Sequence, residues 1–243
     1  MISLSEVQRL NKQGNVIPVF ERIPADLDTP VSAYMKLAGG KHESFLLESI
    51  EGGEKVARYS FLGFDPFLVV EGEANRVVLR QGRQVRQIEV NPLEFIREMF
   101  GFYRPVKVEG LPRFTGGAVG YFGYDTIRWV EQIPDANPDL IGLPTVHLGL
   151  YRNLVVFDHP KQEILLICNI LHEPGETGLR EKYREAVESI ASFRKRLASP
   201  VRRKADEKEH GGKVKALYTQ TDYEKMVTRA KKYIREGDIF QVV

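Results

Sequence analysis

A carboxylate and a hydroxyl stand side by side at Glu48 and Ser49, closing the run Phe45-Leu-Leu-Glu-Ser49. Beside Leu47 and Phe45 such a pair offers what an amino-acid ligand needs, an anion for its ammonium group and apolar walls for its side chain. The same residues also read as a half-buried strand with an exposed carboxylate. In a regular strand Glu48 and Ser49 point to opposite faces, unless a bulge turns both toward one pocket. A second run, Arg58-Tyr-Ser-Phe-Leu-Gly63, mixes polar and apolar groups in the same way. Gly116-Gly-Ala-Val-Gly-Tyr-Phe-Gly123 is rich in glycine, but it lacks the G-x-G-x-x-G spacing and opens no long helix, so its glycines are read as sites of strand bending or close backbone approach rather than as a phosphate loop. The histidines at 42, 147, 159, 172 and 210 show no ligand-like spacing to one another or to Cys168. Nucleophile-elbow, Walker and paired-carboxylate motifs are not found. No catalytic, metal-binding or cofactor-binding residue is therefore assigned. Asp125 and Arg128 are read as a structural salt bridge or helix cap near the Gly120 strand.

The elements that must position these residues follow from pattern and punctuation. Ser3 with Glu6 caps a short helix carrying Val7 and Leu10, ended near Gly14. Thr29-Pro30 opens a second helix whose expected face is Val31, Tyr34, Met35 and Ala38. Strand-like runs then cover residues 44–50, 56–64, 67–71, 76–80 and 83–90, broken at Gly52-Gly53, Asp65-Pro66 and Gln81-Gly82 as in an antiparallel meander. Asn91-Pro92 starts a helix with Leu93, Ile96, Met99 and Phe100. Residues 115–124 and 145–157 read as strands, the second forming a hairpin with 163–171. Those last residues are apolar almost throughout and are expected to be covered on both faces. Leu179, Tyr183, Val187, Ile190 and Leu197 mark a long amphipathic helix. A final helix, capped by Thr221 and Glu224, carries Tyr223, Met226, Val227, Ala230 and Ile234 and stops at Gly237. Strand runs outnumber helices and few alternate with them, which gives an α+β fold, mainly antiparallel sheet packed with helices.

The organisation expected is an amino-terminal domain over 1–198, a charged linker over 199–218, and the opening of a further domain over 219–243. The linker composition, proline, a glycine pair and dense mixed charge, cannot bury enough apolar surface to order itself. Asp238-Ile-Phe-Gln-Val-Val243 reads as the start of a strand whose partners are expected beyond Val243. Across 243 residues 35 Lys and Arg face 33 Asp and Glu, a formal charge of +2, so no long-range field favours nucleic acid. The single cysteine makes no intrachain disulfide. The apolar runs fall short of the roughly 20 residues that span a bilayer, and no basic-then-apolar leader opens the sequence. These features lead to an expectation of a soluble cytoplasmic protein with no membrane partner.

Four segments, in order, resemble the anthranilate synthase component I family: Phe45-Leu-Leu-Glu-Ser49; Arg58-Tyr-Ser-Phe-Leu-Gly63; Gly120-Tyr-Phe-Gly-Tyr-Asp-Thr-Ile-Arg128 with Glu131 and Pro134 following; and Tyr223 to Val243, above all Ile234-Arg-Glu-Gly-Asp-Ile-Phe-Gln-Val-Val243. The resemblance implies that residues 219–243 open a chorismate-binding domain, and that this region belongs to a layered α/β/β/α sandwich. It implies a protein that turns chorismate and ammonia into anthranilate and pyruvate, with Mg²⁺ held by ligands outside these 243 residues, so that this portion is inactive alone. It makes Ser49, with Glu48 and Leu47 beside it, part of the site where tryptophan binds and inhibits, and a glutamine amidotransferase subunit the expected partner. The sister enzyme that makes 4-amino-4-deoxychorismate, and a free-standing tryptophan-binding module, remain the alternatives.

Overall fold

The computed structural model describes residues 1–40, 43–48, 58–135, 138–201 and 214–243. Ser49, Ile50, Val56 and most of the expected linker lie outside them. The chain divides into two compact units, Met1–Arg202 and Arg203–Val243.

The first unit runs α1 (Leu4–Asn11), β1 (Val16–Pro24), α2 (Pro30–Leu37), β2 (Ser44–Leu47), β3 (Tyr59–Phe64), β4 (Leu68–Glu73), β5 (Arg76–Gln81), β6 (Gln84–Glu89), α3 (Pro92–Gly101), β7 (Gly117–Phe122), β8 (Val146–Tyr151), β9 (Asn153–Asp158), β10 (Glu163–Leu171) and α4 (Leu179–Leu197). Its strands form two antiparallel five-stranded sheets, ordered β1-β10-β9-β3-β2 and β6-β5-β4-β8-β7. The α+β class read from the sequence is the one observed.

β10 shows how the sequence builds the layers. Ile164, Leu166, Cys168 and Ile170 pack in a core with Val7 and Leu10 of α1, Ala33 and Leu37 of α2, and Ala186, Ile190, Phe193 and Leu197 of α4. The alternate residues Leu165 and Ile167 join Phe20, Tyr151, Leu154 and Val156 in a second core on the opposite face. Period-2 alternation thus covers both faces, as the continuous apolar run requires. A third core joins Ile96 and Met99 of α3 to Val70, Val77, Val146, Leu148 and Leu150 of the other sheet.

Several expectations are corrected. β1 is a nine-residue strand that the sequence reading leaves without secondary structure, because Pro18 and Pro24 disguise it. It lies at a sheet edge, where a residue lacking an amide hydrogen is tolerated. Residues 145–157 form two strands in different sheets, parted at Arg152. The turn at Asp65-Pro66 likewise passes the chain between sheets instead of closing a hairpin. β3-β4 and β9-β8 therefore make one bent antiparallel ribbon, in which Gly63 pairs with Leu154 and Leu68 with Leu150. Four residues on one strand face three on the other, and this bulge bends the ribbon at the sheet boundary. On α2 the buried positions are Ala33 and Leu37, with Ala38 just beyond the helix, while Val31 and Met35 are exposed. On α3, Phe100 is exposed.

The second unit contains α5 (Gln220–Glu236), closed by Gly237 in the left-handed conformation expected of a terminating glycine. Its cap is Thr219, whose hydroxyl accepts from the Asp222 amide, rather than Thr221. No residue of α5 is buried, although Tyr223, Met226, Val227 and Ile234 share its apolar stripe.

Candidate functional site

The best-built polar and aromatic constellation surrounds β2. This short edge strand pairs only with β3, matching Phe45 to Gly63 and Leu47 to Phe61. A Cβ at Gly63 would stand 2.1 Å from the Phe45 ring, so glycine lets the ring pack close against β3. From there Phe45 meets Tyr151 edge to face, with centroids 4.9 Å apart. Phe61 continues the wall toward Phe114 at 5.5 Å and Tyr59 at 5.8 Å. Geometries of this kind add to area burial because ring edges are positive and faces negative. Leu46 belongs with the helix-side core and Phe45 with the core between the sheets, so alternation aims Leu47 the same way as Phe45.

Tyr151 is 4% exposed, and no described residue hydrogen-bonds its hydroxyl. Burial, with Glu43 and Tyr34 nearby, pushes its ionisation up to about 12, so it is a neutral donor at ordinary pH. Tyr34 in turn shares a 2.9 Å hydrogen bond with Ser44 of β2. One residue before β2, Glu43 lies 3.1 Å from His147 Nε2, whose Nδ1 is 3.3 Å from Glu71. Arg80 closes this line by donating to Glu71 at 2.6 Å. The Tyr121 ring stacks on His147. Spacing in the sequence gives no hint of either Tyr151 or His147, since each joins the group only through long-range strand pairing.

Of the residues singled out in the sequence, Leu47 is 47% exposed and Glu48 is exposed with no described partner, while Ser49 is outside the described residues. Strand pairing ends at Leu47. The second polar run is structural. Arg58 donates twice to the buried Asp158, at 3.0 and 2.8 Å, and buried Ser60 hydrogen-bonds His159 at 2.8 Å. Arg128 also staples a loop, donating to Asp125 at 2.7 Å and to the Ile133 and Pro134 carbonyls. The glycine-rich segment behaves as read, because a Cβ at Gly120 would lie 1.9 Å from the His147 carbonyl oxygen. Among the described residues no three His, Cys, Asp or Glu side chains gather as a metal site, and no helix is long and apolar enough to cross a membrane.

An antiparallel two-sheet scaffold with helices and an aromatic shelf under an edge strand defines a class that comparison makes explicit. Residues 42–243 match the family described as chorismate binding enzyme, and the chain belongs to that family. It aligns with the amino-terminal half of proteins called anthranilate synthase component 1. The relative from Acetivibrio thermocellus is 40% identical over 99% of this chain and 50% of its own length. That from Aquifex aeolicus is 34% identical over 100% of this chain and 49% of its own. The crystal structure of anthranilate synthase component I from Streptococcus pneumoniae superposes with a TM-score of 0.52 at 31% identity, covering 90% of this chain and 46% of that one. The chain spans about half the length of the curated relatives it matches.

Proposed function

We propose that these residues are the amino-terminal part of an enzyme that converts chorismate and ammonia into anthranilate and pyruvate in tryptophan biosynthesis in the cytoplasm, and that β2 contributes to its tryptophan feedback site. The observation that carries the reading is the end-to-end match to half of anthranilate synthase component 1 relatives. Supporting it, the shelf of Phe45, Phe61 and Tyr151 offers apolar aromatic walls, and Tyr151 a hydroxyl with no hydrogen-bond partner among the described residues, beside the strand that leads to Glu48 and Ser49. An indole ring fits such walls, while Glu48 supplies the anion for the ligand's ammonium. The word component in the relatives' names supports a second subunit, here a glutamine amidotransferase delivering ammonia.

Mg²⁺ is required by the reaction proposed. The described residues do not fit it, since no three His, Cys, Asp or Glu side chains among them gather as a metal site and Asp158, Glu71, Glu173 and Asp125 are each held by an arginine. Its ligands and the groups holding chorismate are assigned to the other half of the enzyme, and the 243 residues alone are expected to make no anthranilate.

Joining them to the carboxyl-terminal half of the Acetivibrio thermocellus relative tests the reading. The fusion should form fluorescent anthranilate from chorismate, ammonium and Mg²⁺ and be inhibited by tryptophan, and Ser49→Ala should lift the inhibition without lowering kcat. Formation of 4-amino-4-deoxychorismate instead, or activity indifferent to tryptophan, would refute it.

A further inference from the structure

His147 belongs to the sheet of β4 and β7, yet it meets a residue that leads into the other sheet. Leu148 and Leu150 of β8 pack with α3, so alternation turns His147, Gly149 and Tyr151 to the opposite face, where Tyr151 joins the core that Phe45 packs against. A Cβ at Gly149 would lie 2.7 Å from the Tyr151 hydroxyl oxygen, so glycine lets the Tyr151 ring lean along β8 toward His147. Burial, and then the nearby Glu43 carboxylate, keep that hydroxyl protonated. The contact between His147 and Glu43 therefore borders the aromatic shelf.

The imidazole has a carboxylate at each nitrogen. Glu43 Oε2 lies 3.1 Å from Nε2, and Glu71 Oε1 lies 3.3 Å from Nδ1. Only imidazolium donates from both nitrogens, and either neutral tautomer sets a lone pair against one of the carboxylates. Glu71 faces His147 across β4 and β8 and also accepts from Arg80 at 2.6 Å, so it is held whatever the charge on the ring. Glu43 is the looser of the two, with a side chain 37% exposed against 14% for Glu71. Tyr121 of β7 stacks on the ring and brings no charge, since burial and then Glu71 raise its ionisation. Loss of the ring proton thus releases Glu43.

We propose that His147 is a positioning residue for β2: as imidazolium it pins Glu43 at the entry to the strand, and as neutral imidazole it lets go. β2 has four residues and pairs with β3 alone, so beyond the Tyr34–Ser44 hydrogen bond this tie decides how firmly its first end is held. Histidine changes charge between about pH 5 and 8, so the tie is present at the acid end and lost as pH rises. Resting on the feedback reading, tryptophan inhibition is strongest at the acid end. By reciprocity tryptophan favours the protonated ring.

Two arms test this. In the isotope-labelled 243-residue chain without ligand, the Phe45 and Leu46 amide signals should move between about pH 5.5 and 8 with the midpoint of the His147 ring. His147→Gln and, at a more exposed position, Glu43→Gln should each abolish that movement, which also separates His147 from His42 beside Glu43 in the sequence. His147→Arg, charged throughout and able to serve both carboxylates with its fork, should keep the acid-side signals at every pH. In the fusion enzyme, the tryptophan concentration giving half inhibition should rise about fivefold over the same range. It should stay level and high in His147→Gln, and level and low in His147→Arg. β2 signals that ignore the His147 midpoint or still titrate in both Gln variants would overturn the proposal. So would parent inhibition that is level with pH or weakens toward acid. An enzyme indifferent to tryptophan at every pH would refute the feedback reading instead, while the signals of the free chain still decide the role of His147.

Discussion

Gly63 and Gly120 carry more of the site's geometry than any charged residue near it. At Gly120 the three atoms nearest an added methyl are backbone atoms of His147 and Leu148, so β7 and β8 would have to move apart. Gly120→Ala is expected to cost about 1–3 kcal/mol, in line with other overpacking substitutions, as read by urea unfolding. Gly63→Ala should displace the Phe45 ring, a flexible side chain, with a smaller loss of stability but a loss of tryptophan affinity in the fusion enzyme. Charge enters at Glu173. Its hydrogen bond from Asn15 and then the Arg104 guanidinium hold its carboxyl below the ordinary value of 4.5. A carboxylate depressed in the folded state stabilises fully above the unfolded value, and the contribution disappears as pH falls through the folded one. Unfolding measured from pH 7 down to pH 3 should therefore show a smaller acid-side loss for Glu173→Gln than for the parent, and parallel curves would contradict this assignment. Glu48 and Ser49 were visible in the sequence as polar residues closing an apolar run. Tyr151 was not, because its contact with Phe45 depends on pairing across about a hundred residues.

Among the elements, the legible ones carry their own signals. β10 announces itself by a run apolar at all but Glu163 and Asn169, α2 and α3 by a cap residue followed by proline, and the β5-β6 turn by Gly82 at positive φ. Hidden features are set by partners distant in sequence. β1 contains two prolines that only an edge position accommodates, and nothing local says that Val16 will meet Leu171. The break at Arg152 falls in a run that keeps its strand pattern on both sides, and its cause is a four-against-three register imposed by β3 and β4. Helix faces were blurred where two apolar stripes compete, as on α2, where Ala33 and Leu37 turn inward and leave Met35 outside. Leu166 is fully buried where β10 meets the helices, so Leu166→Ala should cost about 2–5 kcal/mol. Val31→Ala on the exposed side of α2 should change stability by no more than about 0.5 kcal/mol, a contrast that thermal and urea unfolding can both read.

The whole molecule presents a self-contained first unit. Three cores, two sheets and four of its helices lie within Met1–Arg202, and among the described residues the second unit contributes none of the buried ones. A chain ending at residue 202 should therefore unfold cooperatively with a midpoint within about 2 °C of the 243-residue protein, as expected when a domain owns its core. The α+β class and the family were readable because strand runs and four motifs occur in order. The division into two sheets was not, since it rests on turns that look locally like hairpins. The most direct test of the feedback assignment is an NMR titration of the 243-residue protein with tryptophan, with phenylalanine as control. Saturable shifts at Phe45, Leu46, Leu47 and Tyr151, specific to tryptophan and reduced by Ser49→Ala, are the predicted result. A folded spectrum whose β2 and Tyr151 signals stay still, or respond equally to phenylalanine, would contradict it.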